Sequence, residues 1–216
     1  SSRARCNSLS AGLRRGSLLI ESSTVTPALE RRASAAATAL GAAFPEAPVT
    51  GGTWGAEKGE LVFIAGGEAE TLKRAEPVLG AMGKRWFHLG PVGAGQTVKL
   101  AMNLLLAMQV EAFAESLALV TRAGIPGERL VEVMQSSAGR SVLLDIKAPM
   151  MLKREYKPSF SLRLMHKDMS LALDLANQLG VPLPAATSTR EVLSAVKGAI
   201  KEDVDFSSLA SFWQKS

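Results

Sequence analysis

The alternation of apolar and polar positions changes character near Gly95. Before it, short apolar runs are cut by glycine, proline and small polar residues. Residues 17–21 read as a buried strand, and 22–24 as its polar end. Pro27 suits the first turn of a helix over 27–40, with Ala35, Ala36, Ala37 and Leu40 as a small face for packing on a sheet. Residues 41–52 form an apolar run ending in breakers, a strand feeding a loop. Residues 60–65 make the clearest strand, 69–82 a helix and 84–89 one more strand. Strands alternating with helices predict a wound α/β sheet. From Thr97 to Trp213 the pattern is helical throughout, broken at 124–127, 136–139, 157–158 and 180–184. The predicted organisation is therefore an α/β part over 1–95 and an all-α part over 96–216.

The first helix of the second part spans about 97–123 and follows the turn Gly93-Ala94-Gly95-Gln96. Leu100, Met102, Leu104, Leu105, Leu106 and Met108 make it apolar nearly all round, which predicts deep burial. Lys99 and Asn103 lie four apart, one above the other on a helix, so they can converge on one small polar ligand. The plainer alternative is a lysine whose stem lies on apolar surface while its ammonium reaches water.

Composition narrows the choices. With 216 residues and 47% hydrophobic content the chain can bury a sizeable core. The net charge of +5 is scattered among acids, without a clustered basic face for nucleic acid. Arg, Glu, Gln or Asn interrupts each apolar run, the 97–123 helix included, so no membrane span and a soluble protein are expected. Cys6 alone gives no internal disulfide, and with only His88 and His166 beside it no metal cluster. Arg3, Arg5, Arg14 and Arg15 precede the first acid, Glu21, as in an organelle transit peptide. The sequence does not start with Met and is read as a fragment, cytoplasmic or organellar. Gly51-Gly52 and Gly66-Gly67 read as loop glycines, and no GxGxxG pattern with a strand before and a helix after it occurs. His88 reads as structural, Trp54 as packing or a pocket cover, and the methionines of the helical part as core.

Four stretches in order carry a resemblance: Ser22-Ser23-Thr24-Val25, Glu46-Ala47-Pro48-Val49-Thr50-Gly51-Gly52, Gly93 to Asn103 with its Gly95, Gln96 and Lys99, and Phe160 to Lys167-Asp168-Met169. Over residues 11–210 the chain resembles the β-hydroxyacid dehydrogenases, and among them the glyoxylate/succinic semialdehyde reductases. The resemblance implies the C-terminal part of a Rossmann domain, then an all-helical domain like that of 6-phosphogluconate dehydrogenase, with the active site in the cleft. The glycine fingerprint for the cofactor pyrophosphate, which similar proteins carry in an additional N-terminal half-domain, is absent here.

What the resemblance implies for residues follows position by position. Lys99 is the catalytic residue, stabilising charge on the aldehyde oxygen and donating its proton. Asn103 binds the same substrate. Thr50, Gly51 and Gly52 receive the substrate carboxylate through a hydroxyl and backbone N–H groups. Thr24 contacts the cofactor near the nicotinamide ribose, and Phe160, Lys167 and Asp168 face the cofactor from the helical domain. The implied cofactor is NADP, with NAD as the alternative, and no metal is needed. The implied reaction reduces glyoxylate to glycolate or succinic semialdehyde to 4-hydroxybutyrate, in a homodimer or homotetramer. A 3-hydroxyisobutyrate-type dehydrogenase keeps the same residues and runs in the oxidising direction. A catalytically silent oligomerisation module is the third reading; the missing fingerprint favours it and the retained Lys99 opposes it.

Overall fold

A computed structural model describes residues 12–214, so Arg3, Arg5 and Cys6 lie outside the described residues. The chain divides into two compact units, one up to Ala101 and one from Met102 onward.

In the first unit, α1 (Pro27–Ala39) starts on Thr26, whose hydroxyl accepts the Leu29 N–H, with Pro27 in the first turn. Then come β1 (Val49–Thr50), α2 (Gly52–Glu57), β2 (Leu61–Ala65), α3 (Ala69–Met82) and β3 (Gly83–His88). The sheet order is β1-β2-β3, β1 antiparallel to β2 and β3 parallel to it. Residues 17–21, expected as a strand, form only isolated parallel bridges, Leu18 with Ala43 and Glu21 with Glu46. Leu19 N–H donates to the Ala43 carbonyl, Ala43 N–H to Ser17 and Glu21 N–H to Pro45. Pro45 has no N–H to return, which interrupts the ladder. One strand–helix–strand crossover results, β2-α3-β3, and α1 links the two bridged segments around 18–21 and 43–46.

The period of α3 is legible in its burial. Leu72, Ala75 and Leu79 are fully buried and cluster with Ala47, Phe63 and Ala65. Each leucine contributes about 1.5–3 kcal/mol by that burial. The packing face of α1 differs from expectation: Pro27, Glu30 and Ala37 are buried, while Ala35, Ala36 and Leu40 are exposed. A hydrogen bond from Gln96 to Glu30 draws that carboxyl inward and fixes the rotation of the helix.

The long helix α4 (Ala94–Arg122) runs through the unit boundary. Its 29 residues are long and apolar enough, by length and composition alone, to cross a membrane, which corrects the expectation that no run is. Its apolar residues serve instead in a protein core, where Ala107, Val110, Phe113, Ala114 and Leu117 join Leu144, Met151, Met165, Met169, Leu193 and Phe206. Burial is not all round, however. Leu105 is 53% exposed and Leu119 72%, with Ala112 exposed between them at the seven-residue spacing that keeps one stripe of a helix.

The second unit continues with α5 (Gly127–Gln135), α6 (Val142–Lys153), α7 (Leu162–Leu179), α8 (Pro184–Ala199) and a 3-10 segment, Phe206–Phe212. A buried ion pair fastens its end. Lys147 Nζ lies 2.8 and 2.7 Å from the two carboxylate oxygens of Asp205. Asp205 also accepts the N–H groups of Ser159, Phe160 and Ser207. Burial alone would raise the Asp205 pKa, but the Lys147 ammonium and these donors outweigh it and hold the group below the usual carboxylate value.

Lys147→Ala should therefore cost about 3–5 kcal/mol in urea unfolding, because it leaves Asp205 buried without its counter-charge. Lys147→Met with Asp205→Leu should cost much less. A depressed folded pKa means that the carboxylate's contribution is complete above the unfolded value and is lost as pH falls through the folded one, so the wild-type advantage should disappear only below about pH 4.

Candidate active site

Of the candidate residues in the first unit, Lys99 lies near the start of α4, and the Thr24 loop is hydrogen-bonded to that start through Gln96. The leading N–H groups of a helix have no partners within it, and a buried helix start must find them elsewhere. Here the Glu46 carboxylate supplies them: its Oε1 accepts the Gly93 N–H and the Gly95 N–H, both at 2.7 Å. Glu46 is fully buried and held in turn by paired backbone bonds with Gly66, 3.0 Å in each direction. Burial raises its pKa, while the two glycine N–H groups and the charge of Arg31 pull it back in part.

One residue on, Gln96 ties the same turn to the loop bearing Thr24. Its Nε2 donates to the Ser23 carbonyl and to Glu30 Oε1, each at 2.7 Å, and its Oε1 accepts the Val25 N–H at 3.2 Å. Lys99 follows on the second turn and is 6% exposed, so most of its side chain is withdrawn from solvent. Burial to this depth favours a lysine held within the protein over one that snorkels along its surface.

Thr50 ends β1, paired with Val62. Gly51 has φ +131° and ψ −12°, a conformation that favours glycine, and caps α2 without a side-chain hydrogen bond. The first N–H groups of α2 therefore have no side-chain cap. Trp54 on α2 is 57% exposed with Lys58 Nζ 4.3 Å from its ring centroid, so it is not core packing. His88 Nε2 sits 2.9 Å from the Gly67 carbonyl and 3.2 Å from that of Gly90, tying two loops together.

In the second unit Asn103 and Asp168 come together. Asn103 Nδ2 donates to Asp168 Oδ2 at 2.6 Å, and both residues are buried. Asp168 Oδ1 lies 2.9 Å from Lys167 Nζ, an ion-pair distance without hydrogen-bond geometry. One Asn103 hydrogen is thus committed to Asp168. Phe160 packs its ring edge-on against Phe206, centroids 6.0 Å apart, and its N–H donates to Asp205.

Known proteins are similar to this chain in sequence and in fold. The family profile described as the NAD-binding domain of NADP-dependent 3-hydroxyisobutyrate dehydrogenase matches residues 93–213, and that of the NAD-binding domain of 6-phosphogluconate dehydrogenase matches 2–90. This chain belongs to the β-hydroxyacid dehydrogenase family. Among relatives of this β-hydroxyacid dehydrogenase, 3-hydroxyisobutyrate dehydrogenase of Pseudomonas aeruginosa is 39% identical over 206 residues, 91% of this chain and 69% of that one. Chloroplastic glyoxylate/succinic semialdehyde reductase 2 of Arabidopsis thaliana is 35% identical over 92% of this chain and 55% of its own length. The structure of Mycobacterium tuberculosis 3-hydroxyisobutyrate dehydrogenase with L-serine superposes with a TM-score of 0.89 at 31% identity, over 99% of this chain and 75% of that one. The family fold is a Rossmann-type domain followed by a helical domain of the 6-phosphogluconate dehydrogenase type, and the family cofactor is a nicotinamide dinucleotide.

Glu46 and Gln96 stand in the stretches that carry the resemblance but were given no role from sequence, and Glu30 was not named at all. Glu30 had a signal, because it shares a helical face with Ala37, seven residues on, and a carboxyl on a packing face needs a partner. Glu46 is the one acid in the apolar run 42–49.

The glycines of this turn serve protein packing. A Cβ on Gly95 would collide with the Ile64 carbonyl oxygen and crowd Glu46 Oε1, at a position without unusual backbone conformation. Gly95→Ala should lower stability by about 1–3 kcal/mol in thermal or urea unfolding. Gly80→Ala, inside α3 with nothing within 4 Å of the new methyl, should be neutral or raise it by up to about 1 kcal/mol.

Proposed function

We propose that the chain carries the nicotinamide-facing and substrate-facing residues of an NADP(H)-dependent reductase of small aldehyde acids, turning glyoxylate into glycolate or succinic semialdehyde into 4-hydroxybutyrate. The observation that carries this reading is the buried Lys99, one turn beyond a helix start fixed by Glu46 and Gln96. Thr24, Thr50, Gly51, Gly52 and Lys99 belong to one unit, and Asn103 follows Lys99 by one helical turn.

The residues fit the nicotinamide end of a dinucleotide. Thr24 lies just past the carboxyl end of residues 17–21, and the loops at Gly66-Gly67 and Gly90 follow the carboxyl ends of β2 and β3, the edge where ligands bind in parallel α/β sheets. Bound there, the reduced cofactor supplies a hydride to the aldehyde carbon. The Lys99 ammonium stabilises the negative charge growing on the aldehyde oxygen and gives that oxygen a proton, so one C–H and one O–H bond form and the amine is left neutral. The Thr50 hydroxyl and the uncapped N–H groups of Gly52 and Thr53 receive the substrate carboxylate. Asn103, aligned by Asp168, holds the substrate hydroxyl or carbonyl.

The 39% identity to a 3-hydroxyisobutyrate dehydrogenase favours a second reading, oxidation of a 3-hydroxy acid with Lys99 as base. A panel of aldehyde acids with NADPH and of 3-hydroxy acids with NADP and NAD separates the two. Under the first reading glyoxylate-dependent NADPH oxidation is expected, and Lys99→Ala should lower kcat about 10²–10⁴-fold. Turnover untouched by that substitution removes Lys99 from the chemistry.

The exposed stripe of Leu105, Ala112 and Leu119 supports a homodimer or homotetramer. Light scattering should give a mass of two or four chains, and Leu119→Glu should reduce it; a monomeric wild type contradicts this.

A further inference from the structure

Gln96 is completely buried, and its single amide spans three places at once: the Ser23 carbonyl and the Val25 N–H, which flank Thr24, and Glu30 on α1. The amide itself sits in the first turn of α4, three residues before Lys99. Of the four hydrogen-bonding capacities of a glutamine amide, both donors and one acceptor lone pair are satisfied. A side chain so fully engaged fixes the loop and the helix start relative to each other.

We propose that Gln96 is a positioning residue for the reductase, clamping the Thr24 loop onto the turn that presents Lys99, with the buried Glu30 carboxyl as its anchor. The inference rests on the reductase reading above, because it assigns Thr24 to the cofactor and Lys99 to the substrate.

The anchor has an unusual state. Glu30 is 1% exposed, and its Oε2 has no hydrogen-bond partner. Burial raises its pKa from 4.5 to about 8, opposed by the Gln96 hydrogen bond and reinforced by the charges of Glu46 and Glu21. The groups around it are Gln96 from α4, Glu46 from the segment beside Gly66, and Glu21 from the end of residues 17–21; Arg31 acts on Glu46. Near neutrality the carboxyl is therefore protonated, and a second buried negative charge next to Glu46 is avoided. Over the interval from about pH 4.5 to 8 the folded chain holds a proton that the unfolded chain has released. Stability due to this group falls as pH rises through that interval and levels off above it. Ionisation above about pH 8 places a charge directly on the clamp.

The test uses the full chain and two substitutions. Gln96→Leu keeps the volume and removes all three hydrogen bonds. It should raise the Kd for NADPH, read by the fluorescence of the bound dinucleotide, about tenfold. It should also accelerate exchange of the Val25 amide hydrogen at least tenfold and lower kcat for glyoxylate with KM changed less than twofold. Glu30→Gln keeps a neutral acceptor that cannot ionise. It should match wild type in NADPH affinity at pH 7, flatten the loss of affinity that wild type shows above pH 8, and gain stability over wild type progressively from pH 5 to pH 8. An unchanged Kd and unchanged Val25 exchange in Gln96→Leu overturn the proposal. Where that variant does not fold, wild type and Glu30→Gln keeping parallel pH profiles of affinity overturn it equally. Absence of NADPH binding by the wild type also overturns it. Binding and exchange that respond as expected in a chain inactive on glyoxylate support the clamp and refute the reductase reading alone.

Discussion

The structure of the first unit depends on how the start of one long helix is allowed to be buried. A helix start brings peptide N–H groups that its own carbonyls cannot reach, and out of water each unsatisfied one costs about 1–3 kcal/mol. Glu46 meets that demand with one carboxylate oxygen shared by Gly93 and Gly95. The partial positive charge at a helix N-terminus makes a carboxylate the fitting acceptor. Glycine at 66 leaves the room in which that carboxylate sits, and glycine at 95 lets the helix approach the Ile64 carbonyl. Lys99 inherits its place from these contacts: rotate or withdraw the first turn, and the amine one turn on moves with it.

The second unit answers the same problem with the opposite choice of charge. Its loops near 156–161 and 203–207 carry N–H groups that no helix satisfies. Asp205 collects those of Ser159, Phe160 and Ser207 and is neutralised by Lys147. In the first unit burial shifts the proton equilibria of the buried acids Glu30 and Glu46 upward. A paired carboxylate resists acid, whereas an unpaired buried carboxyl makes the surrounding contacts sensitive to base.

Much of the fold was legible because local periodicity and burial agree. The helix expected over 69–82 is found at Ala69–Met82, since Leu72, Ala75 and Leu79 mark one face without competition. The strand expected over 60–65 is the centre of the sheet. Residues 17–21 look equally apolar, yet the prolines of the neighbouring segment deny them a full ladder, and a pattern along one strand cannot report the partner's missing N–H. The face of α1 went astray for a related reason: three consecutive alanines suggest close packing, but a distant glutamine sets the helix rotation through Glu30. Asn103 with Asp168, and Lys147 with Asp205, are separated by 65 and 58 positions. No local pattern encodes such pairs, although the resemblance had already gathered the first two into one site.

The apolar character of α4 illustrates how one composition serves several ends. Read as a string, it passes for a membrane span; read with its polar residues placed, it does not behave as one. Gln96, Lys99, Asn103 and Glu111 are all buried, and the first, third and fourth are hydrogen-bonded to Glu30, Asp168 and Thr189 on other elements. In hydrocarbon such groups would have to find partners along the helix or stay unsatisfied. Their partners here come from α1, α7 and α8, so the polar residues that interrupt the run fasten the helix to the protein. Leu105, Ala112 and Leu119 are exposed on this helix, together with polar residues such as Glu115 and Ser116. A helix anchored by its polar positions can leave an apolar flank open without loosening its own place.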